Sequence, residues 1–247
     1  MNILLEVLKI DKSDPVAITF FTGYMAMFAS SIFFFFERGS VDGKWKTSLL
    51  VSALITGIAS VHYFYMRDYY LATHETPTAL RYIDWSLTVP LMCVEFYLLL
   101  KPAGASKGLM WKLIFAGAFM LVTGYIGEAF SNGDGMKSII WGVISSVGYV
   151  YILYTAMYGE AKKLADASNS PAVQKAIRAL GLFVLIGWAI YPIGYMAMPG
   201  NLLSHVLAPS SMDLIYNLGD AVNKIGFGFV VYNLAITETA KSKSALA

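Results

Sequence analysis

Seven apolar runs constrain the fold of this chain more than any other feature of its sequence. They cover residues 15–36, 45–66, 79–100, 109–130, 137–158, 175–198 and 210–236. A helix of about 20 residues crosses the hydrocarbon core of a bilayer. Only helices and closed barrels satisfy all their backbone hydrogen bonds in lipid. We therefore predict an all-α membrane protein, with one domain over residues 1–247 that is a bundle of seven transmembrane helices.

The composition supports a membrane location and excludes several other classes of protein. Hydrophobic residues make up 57% of the chain and charged residues 14%, against about 25% charged residues in soluble domains. The net charge of +2 is too small to indicate a nucleic-acid partner. The single cysteine, Cys93, excludes an intrachain disulfide and a cysteine-based metal site. We expect membrane lipid around the chain, with no nucleic acid and no metal bound.

Basic residues between the runs predict the orientation of the bundle, because they are enriched in cytoplasmic loops. One side of the bundle would carry Arg38, Lys44, Lys46, Lys101, Lys107, Lys112, Lys162, Lys163, Lys175, Arg178, Lys241 and Lys243. The other side would carry Arg67, Lys137, Lys9 and Lys12. We therefore predict that the N-terminus lies outside and the C-terminus in the cytoplasm. The first 14 residues lack a basic start, so we expect no cleaved signal peptide.

The third run ends in RYIDWSLTVPLMCVEFYLLL, residues 81–100, and carries ionisable groups that lipid disfavours. Each such group costs roughly 3 kcal/mol or more at the bilayer centre. On a helix, Thr88 and Glu95 lie about 40° and about 20° from Asp84 around the axis, so all three share one face. Glu95 lies about 16 Å farther along the axis than Asp84. The pattern predicts a column across the membrane in the order Arg81, Asp84, Thr88, Glu95, rather than charges that reach the interface from the helix ends.

The seventh run places Lys224 near its middle, four residues after Asp220 and on the same helical face. Two explanations are open for this lysine. It is either a structural ion pair with Asp220, or an amine kept to form a Schiff base with a carbonyl ligand. The charge count favours the second, because Asp84 and Asp220 both face one lysine, with Arg81 available to balance the second carboxylate. That count is expected of a protonated Schiff base with two carboxylate counterions.

The segments RYIDWSLTVPLMCVEFYLLL and YNLGDAVNKIGFG resemble the third and seventh helices of the microbial (type 1) rhodopsins, specifically the proteorhodopsin and xanthorhodopsin branch. The resemblance extends over the whole chain. It implies a seven-helix bundle with all-trans retinal bound covalently to Lys224 as a protonated Schiff base. Asp84 would be the primary counterion and proton acceptor, and Asp220 the second counterion. Glu95 would be the cytoplasmic proton donor, and Arg81 the gate toward the outer face.

The residues at positions 84, 88 and 95 also distinguish ion pumps within this family. Outward proton pumps resemble this chain, with carboxylates at the acceptor and donor positions. Sodium pumps place Asn, Asp and Gln there, chloride pumps lack the acceptor carboxylate, and sensory members usually lack the donor carboxylate. The resemblance therefore implies a light-driven outward proton pump, which is a transporter and not an enzyme. A sensory photoreceptor of the same family is the alternative.

The role expected of His62, in the second run, rests on the resemblance alone. A single histidine on an apolar helix is more often a packed core residue, but in this branch a histidine at this motif partners the acceptor carboxylate. We therefore expect a hydrogen bond between His62 and Asp84. The two groups would then titrate as a coupled pair.

A retinal pocket needs long, rigid and apolar walls, which aromatic side chains provide. The residues expected to line it are Trp85, Thr88, Met92, Trp188, Tyr191, Pro192 and Tyr216. Aromatic residues at helical spacing are ordinarily core residues, and the resemblance is what assigns these to the pocket. Met92 matches the spectral-tuning position of the family, where an apolar residue implies green rather than blue absorption.

Gly142 and Glu128 each have two interpretations. Many family members carry a bulky residue where Gly142 stands, and glycine there would open a window for a carotenoid antenna; it is equally a helix-packing glycine. Glu128, near the outer end of the fourth run, would release protons or serve as a structural carboxylate. The family further implies a homo-oligomer, a pentamer or hexamer, and a multi-pass location in the bacterial inner (plasma) membrane.

Overall fold

The computed structural model describes residues 14–131, 134–197, 200–207 and 209–245, and this part of the chain is helical without a strand. The α-helices are α1 (Pro15–Glu37), α2 (Gly43–Thr73), α3 (Thr78–Leu100), α4 (Lys107–Ala129), α5 (Gly135–Met157), α6 (Glu160–Ala167), α7 (Pro171–Leu182), α8 (Ile190–Met196) and α9 (Pro209–Ser244). A short 3₁₀ helix, Lys101–Ala103, follows α3. A π-helical segment, Phe183–Gly187, connects α7 to α8. α7, this π-helical segment and α8 together form the sixth span of the bundle.

Within the described ranges, six helical segments are long and apolar enough to cross a membrane. They are Pro15–Glu37, Gly43–Thr73, Thr78–Ala103, Lys107–Ala129, Gly135–Ala167 and Pro171–Met196. The remaining long helix, α9, has 36 residues but contains Asp213, Asp220 and Lys224 in its first half, which makes it less apolar. With α9 as the seventh span, the predicted all-α seven-helix bundle is confirmed.

Four of the helices start where a side chain caps the first turn. The Asp14 carboxylate accepts hydrogen bonds from the backbone amides of Val16 and Ala17, ahead of α1. Ser106, Asp134 and Ser170 cap α4, α5 and α7 in the same way. These caps place the helix starts in the polar segments between the apolar runs.

Two helices extend beyond their predicted spans, and one additional short helix lies between spans. α2 continues beyond residue 66 to Thr73, where Arg67 is buried over the ring of Phe21 and Tyr70 packs against Phe20. α9 continues beyond residue 236 to Ser244, and the buried Thr239 accepts a hydrogen bond from the amide of Asp42. The segment between the fifth and sixth spans contains the additional short helix α6.

The seven spans pack as a ring, with each helix against its neighbours in the chain. α2 packs between α1 and α3, α4 packs between α3 and α5, and α9 closes the ring against α1, α2 and the sixth span. Large apolar side chains cover the outside of the ring, among them Phe36, Phe115, Val143, Ile186 and Val222. Buried polar and charged side chains lie inside it, among them Arg81, Asp84, Thr88, Glu95, Asp213, Asn217, Asp220 and Lys224. This polarity suits a lipid environment, in which the interior is the place for ionisable groups.

The two ends of the bundle differ in charge. One end, here called the Arg81 end, contains the connections α2–α3 and α4–α5 and the start of α9. The opposite end, the Glu95 end, contains the connections α1–α2, α3–α4 and α5–α7, and the end of α9. Most of the basic residues between spans belong to the Glu95 end. The orientation in a membrane stays a prediction, and Lys9 and Lys12 lie outside the described residues.

Candidate functional site

Helices α2, α3 and α9 bring ionisable groups together in the middle of the bundle. The Lys224 ammonium lies 3.1 Å from Oδ2 of Asp84 and also forms an ion pair with Asp220, one turn earlier in α9. Lys224 is 2% exposed and Asp84 is 0% exposed. Burying an unpaired charge costs several kcal/mol, so the two carboxylates and the ammonium stabilise one another. The structure thus brings together the three residues that the sequence placed at a counterion site.

His62 lies on the other side of Asp84. Its Nδ1 atom is 3.2 Å from Oδ1 of Asp84, and its side chain is 19% exposed. Asp84 is therefore held between an imidazole from α2 and an ammonium from α9. We call His62, Asp84, Asp220 and Lys224 the central cluster.

The sixth span contributes a further contact to this cluster. The Tyr191 hydroxyl donates a hydrogen bond of 2.6 Å to Oδ1 of Asp220. Tyr191 follows the π-helical segment, in which the amide of Trp188 donates to the carbonyl of Phe183. The side-chain amide of Asn223 donates 2.8 Å to the carbonyl of Gly187, which that wide turn leaves free. π-Helical segments of this kind are frequent at functional sites.

Arg81 pairs with a residue that the sequence analysis did not identify. Its Nη2 atom donates 2.9 Å to Oδ1 of Asp213 and 2.8 Å to Oδ1 of Asn217, both in α9. The direct ion pair of Arg81 is therefore with Asp213, and its role in balancing the charges of Asp84 and Asp220 stays a prediction. The signal was present in the sequence, because positions 213, 217, 220 and 224 share one face of a helix.

Glu95 is fully buried and separate from the central cluster. The Ser52 hydroxyl of α2 donates 3.0 Å to its Oε1 atom. Among the residues that the structure describes, no cation pairs with Glu95. Thr88, between Asp84 and Glu95 on α3, donates to the backbone carbonyl of Asp84 rather than to a carboxylate. Ser52, like Asp213, lay outside the sequence prediction, since a serine in an apolar helix carries no specific signal.

A cavity of about 260 Å³ opens beside Lys224, between α3, α4, α5, the sixth span and α9. Every residue predicted for the pocket lines it: Trp85, Thr88, Met92, Trp188, Tyr191, Pro192 and Tyr216. The Trp85 ring meets those of Tyr191 and Tyr216 edge-on, at centroid distances of 4.8 Å and 5.9 Å. An amine at one point of an otherwise apolar and aromatic cavity suits an apolar ligand with a carbonyl group.

Gly142 and Glu128 also line this cavity. A Cβ atom on Gly142 would lie 2.8 Å from Cε1 of Tyr195, so the glycine permits close packing between α5 and α8. Val143 and Leu202, which line the same cavity, are 65% and 66% exposed, so the cavity reaches the outer surface of the bundle near Gly142. Glu128 accepts a hydrogen bond of 3.1 Å from Thr78 at the Arg81 end.

Known proteins resemble this chain in sequence and in structure. It is 44% identical over 236 residues to the blue-light absorbing proteorhodopsin of Gamma-proteobacterium Hot 75m4, covering 94% of this chain and 91% of the relative. The green-light absorbing proteorhodopsin of Gamma-proteobacterium EBAC31A08 is 43% identical with the same coverage. The crystal structure of xanthorhodopsin, described as a light-driven ion pump with dual chromophore, superposes with a TM-score of 0.79 at 32% identity. That superposition covers 92% of this chain and 94% of xanthorhodopsin.

The family model for bacteriorhodopsin-like proteins matches residues 14–238, which cover the first six spans and most of α9. The resemblance predicted from the third and seventh runs is confirmed by this match and by the identity to the proteorhodopsins. The chain belongs to the bacteriorhodopsin-like family of membrane proteins.

Proposed function

We propose that the chain is a light-driven proton pump that moves protons outward across a bacterial plasma membrane, with all-trans retinal as its chromophore. The observation that carries this proposal is the arrangement of the buried acids. Asp84 lies within 3.1 Å of the Lys224 amine, and Glu95 lies buried and unpaired by any described cation farther toward the Glu95 end. The proteorhodopsin relatives and the description of xanthorhodopsin as a light-driven ion pump support it.

The cavity beside Lys224 fits retinal, which is a conjugated apolar aldehyde. Lys224 would hold it covalently through its amine, the only amine among the described cavity residues. Trp85, Trp188 and Met92 would form parts of the apolar wall. When bound, retinal supplies absorption of visible light and a photoisomerisation. The blue- and green-absorbing relatives are almost equally similar to this chain, so overall identity does not distinguish the two colours. We propose green absorption because of Met92.

Asp84 is the proton acceptor in this proposal. Its Oδ2 atom is close enough to the Lys224 nitrogen to receive a proton from it directly. His62 contacts the other carboxylate oxygen, so the imidazole can share the proton or stabilise its arrival. Asp220 accepts from Tyr191 as well as from Lys224, and it serves as the carboxylate that keeps its charge.

Glu95 is the proton donor. A carboxyl group that is buried without a cation is favoured in its neutral form, so Glu95 would store a proton. Its separation from Asp84 of about 16 Å along α3 prevents a direct exchange between donor and acceptor. Protons would therefore enter from the Glu95 end and leave toward the Arg81 end. That direction is outward when the Glu95 end, with its many basic residues, faces the cytoplasm.

We further propose that a carotenoid docks where the cavity reaches the surface beside Gly142 and acts as an antenna. The exposure of Val143 and Leu202 at this place supports access from the lipid. Xanthorhodopsin, with its dual chromophore, is a precedent in a protein of similar structure. A homo-oligomer of this chain, a pentamer or hexamer, stays a prediction from the family.

The test is the light-driven change of pH in an unbuffered suspension of cells that express the chain with added retinal. We expect the medium to acidify under green light, and a protonophore to abolish the change. Lys224→Ala is the control, because it removes the attachment point and should give colourless cells without a response. A coloured protein that moves no protons would instead favour the sensory photoreceptor.

A further inference from the structure

The acid at the Arg81 end of α9 has partners on both of its carboxylate oxygens. Asp213 is 2% exposed, and its Oδ1 atom accepts 2.9 Å from Arg81. Its Oδ2 atom accepts 2.8 Å from the Thr76 hydroxyl, just before α3. Asn217 accepts from the same guanidinium nitrogen and donates 3.1 Å to Thr19 of α1. Residues from three parts of the ring therefore hold one ion pair.

The guanidinium of Arg81 is also confined by aromatic rings. Its central carbon lies 5.3 Å from the ring centroid of Phe20 and 5.2 Å from that of Tyr216. Both hydrogen bonds that Arg81 donates within the described chain come from Nη2 and end on Asp213 and Asn217. Asp213 is seven residues from Asp220, or about 10 Å along α9. Among the described residues, Arg81 therefore pairs with Asp213 toward the Arg81 end and forms no ion pair with Asp84 or Asp220.

We propose that Asp213 is a positioning residue that holds Arg81 away from Asp84 and Asp220, and so keeps the guanidinium charge from pairing with the proton acceptor. The inference rests on the proposed function, since it concerns the protonation of Asp84. As the counterion, Asp84 must be ionised before photoisomerisation, and as the acceptor it must then be able to bind a proton at the pH at which the protein works. A guanidinium paired with Asp84 would oppose that, because a nearby positive charge favours the carboxylate over the carboxylic acid.

Several groups set the field at Asp84, and the test must separate them. His62 and Tyr63 of α2 and Lys224 of α9 face Asp84, and Asp220 shares the Lys224 ammonium with it. Glu128 of α4 and Asp220 interact with the charge of Arg81. Asp213 acts on Asp84 through Arg81 in this proposal. Its effect should therefore disappear when Arg81 is neutralised, whereas a direct effect of the Asp213 charge should persist.

The experiment is an acid titration of the visible absorption of the retinal-loaded full chain, whose colour changes when Asp84 binds a proton. We expect Asp213→Asn to move the midpoint of the colour change downward by about one pH unit or more, a tenfold change in proton affinity. Asp213→Glu keeps the charge and should stay within a few tenths of a unit of the wild type. In an Arg81→Gln background, Asp213→Asn should cause no further shift.

Two results would overturn the inference. One is an unchanged midpoint in Asp213→Asn, and the other is a full shift that persists in the Arg81→Gln background. A second measurement does not need the chromophore: the titration of the His62 imidazole by NMR in the retinal-free chain, where the same downward shift is expected. If the wild-type chain forms no coloured complex, the proposed function fails, and the His62 titration alone decides the role of Asp213.

Discussion

Asp84, Asp220 and Glu95 carry the same chemical group in three different surroundings. Asp84 meets the His62 imidazole and the Lys224 ammonium, and Asp220 meets the same ammonium and a tyrosine hydroxyl. Glu95 has one described hydrogen-bond partner, the hydroxyl of Ser52. Carboxyl groups in different environments take different roles in proton transfer. These contacts give the physical basis for assigning an acceptor, a fixed counterion and a donor.

Glu95→Gln tests the role of the donor. Glutamine keeps the size and can still accept from Ser52, but it has no acidic proton to return to the site. We expect the last step of the photocycle, measured by flash photolysis, to slow by about 100-fold or more, which is the usual contribution of a positioned acid. Steady proton transport should fall in parallel.

Ser52→Ala is the matched control for this prediction. It removes the hydrogen bond to Glu95 and leaves the carboxyl in place, so the slowing should be much smaller than in Glu95→Gln. An unchanged last step in Glu95→Gln would contradict the donor role and would favour a sensory photoreceptor.

The residues that spacing alone grouped together lie within one helix. Asp84 and Glu95 share a face of α3, and Asp220 and Lys224 share a face of α9. The partner of Arg81 depends on how α3 packs against α9, which spacing along a single helix does not contain. The charge count made Arg81 available to balance Asp84 and Asp220. That its ion-pair partner is Asp213, on the same face of α9 as Asp220, is shown by the three-dimensional arrangement.

At the scale of helices, the sixth span shows that an apolar run does not reveal where a helix is interrupted. The run at 175–198 predicted one uninterrupted helix, but the structure has α7, a π-helical segment and α8. The carbonyls that the wide turn frees are bound from other helices, by Asn223 of α9 and by the hydroxyl of Tyr149 of α5. Because these donors are remote in the sequence, local periodicity does not predict the interruption.

Gly142→Trp tests the role of α5 in antenna binding. An indole at this position should fill the opening of the cavity near Val143 and block the carotenoid. We expect the action spectrum of proton transport to lose the contribution from added carotenoid, while the absorption band of retinal alone persists. The measurement compares action spectra of wild type and variant, each with and without carotenoid.

Gly142→Ala is the control for displacement of Tyr195, because even a Cβ atom here comes within 2.8 Å of that ring. If the alanine variant keeps the carotenoid contribution and the tryptophan variant loses it, the carotenoid requires the open space beside residue 142. A carotenoid contribution that survives in Gly142→Trp would leave Gly142 as a packing glycine.

For the whole molecule, the distribution of polar and charged residues bears on both its place in the membrane and its orientation there. Apolar residues face lipid and ionisable residues face inward, which seven apolar runs and a low charged fraction already indicated. The proposed acceptor, Asp84, and the proposed donor, Glu95, lie at different depths between a basic and a less basic end of the bundle. The direction of transport therefore depends on which end faces the cytoplasm, which the charge distribution predicts.

Labelling with a membrane-impermeant maleimide in intact cells tests this orientation. Glu75, at the Arg81 end, and Asn169, at the Glu95 end, are both exposed. The native thiol, Cys93, is buried, so the wild type should stay unlabelled. We expect Glu75→Cys to react and Asn169→Cys to react only after the cells are opened. The reverse pattern would place the Glu95 end outside, and the same order of donor and acceptor would then move protons inward and make the medium alkaline under light.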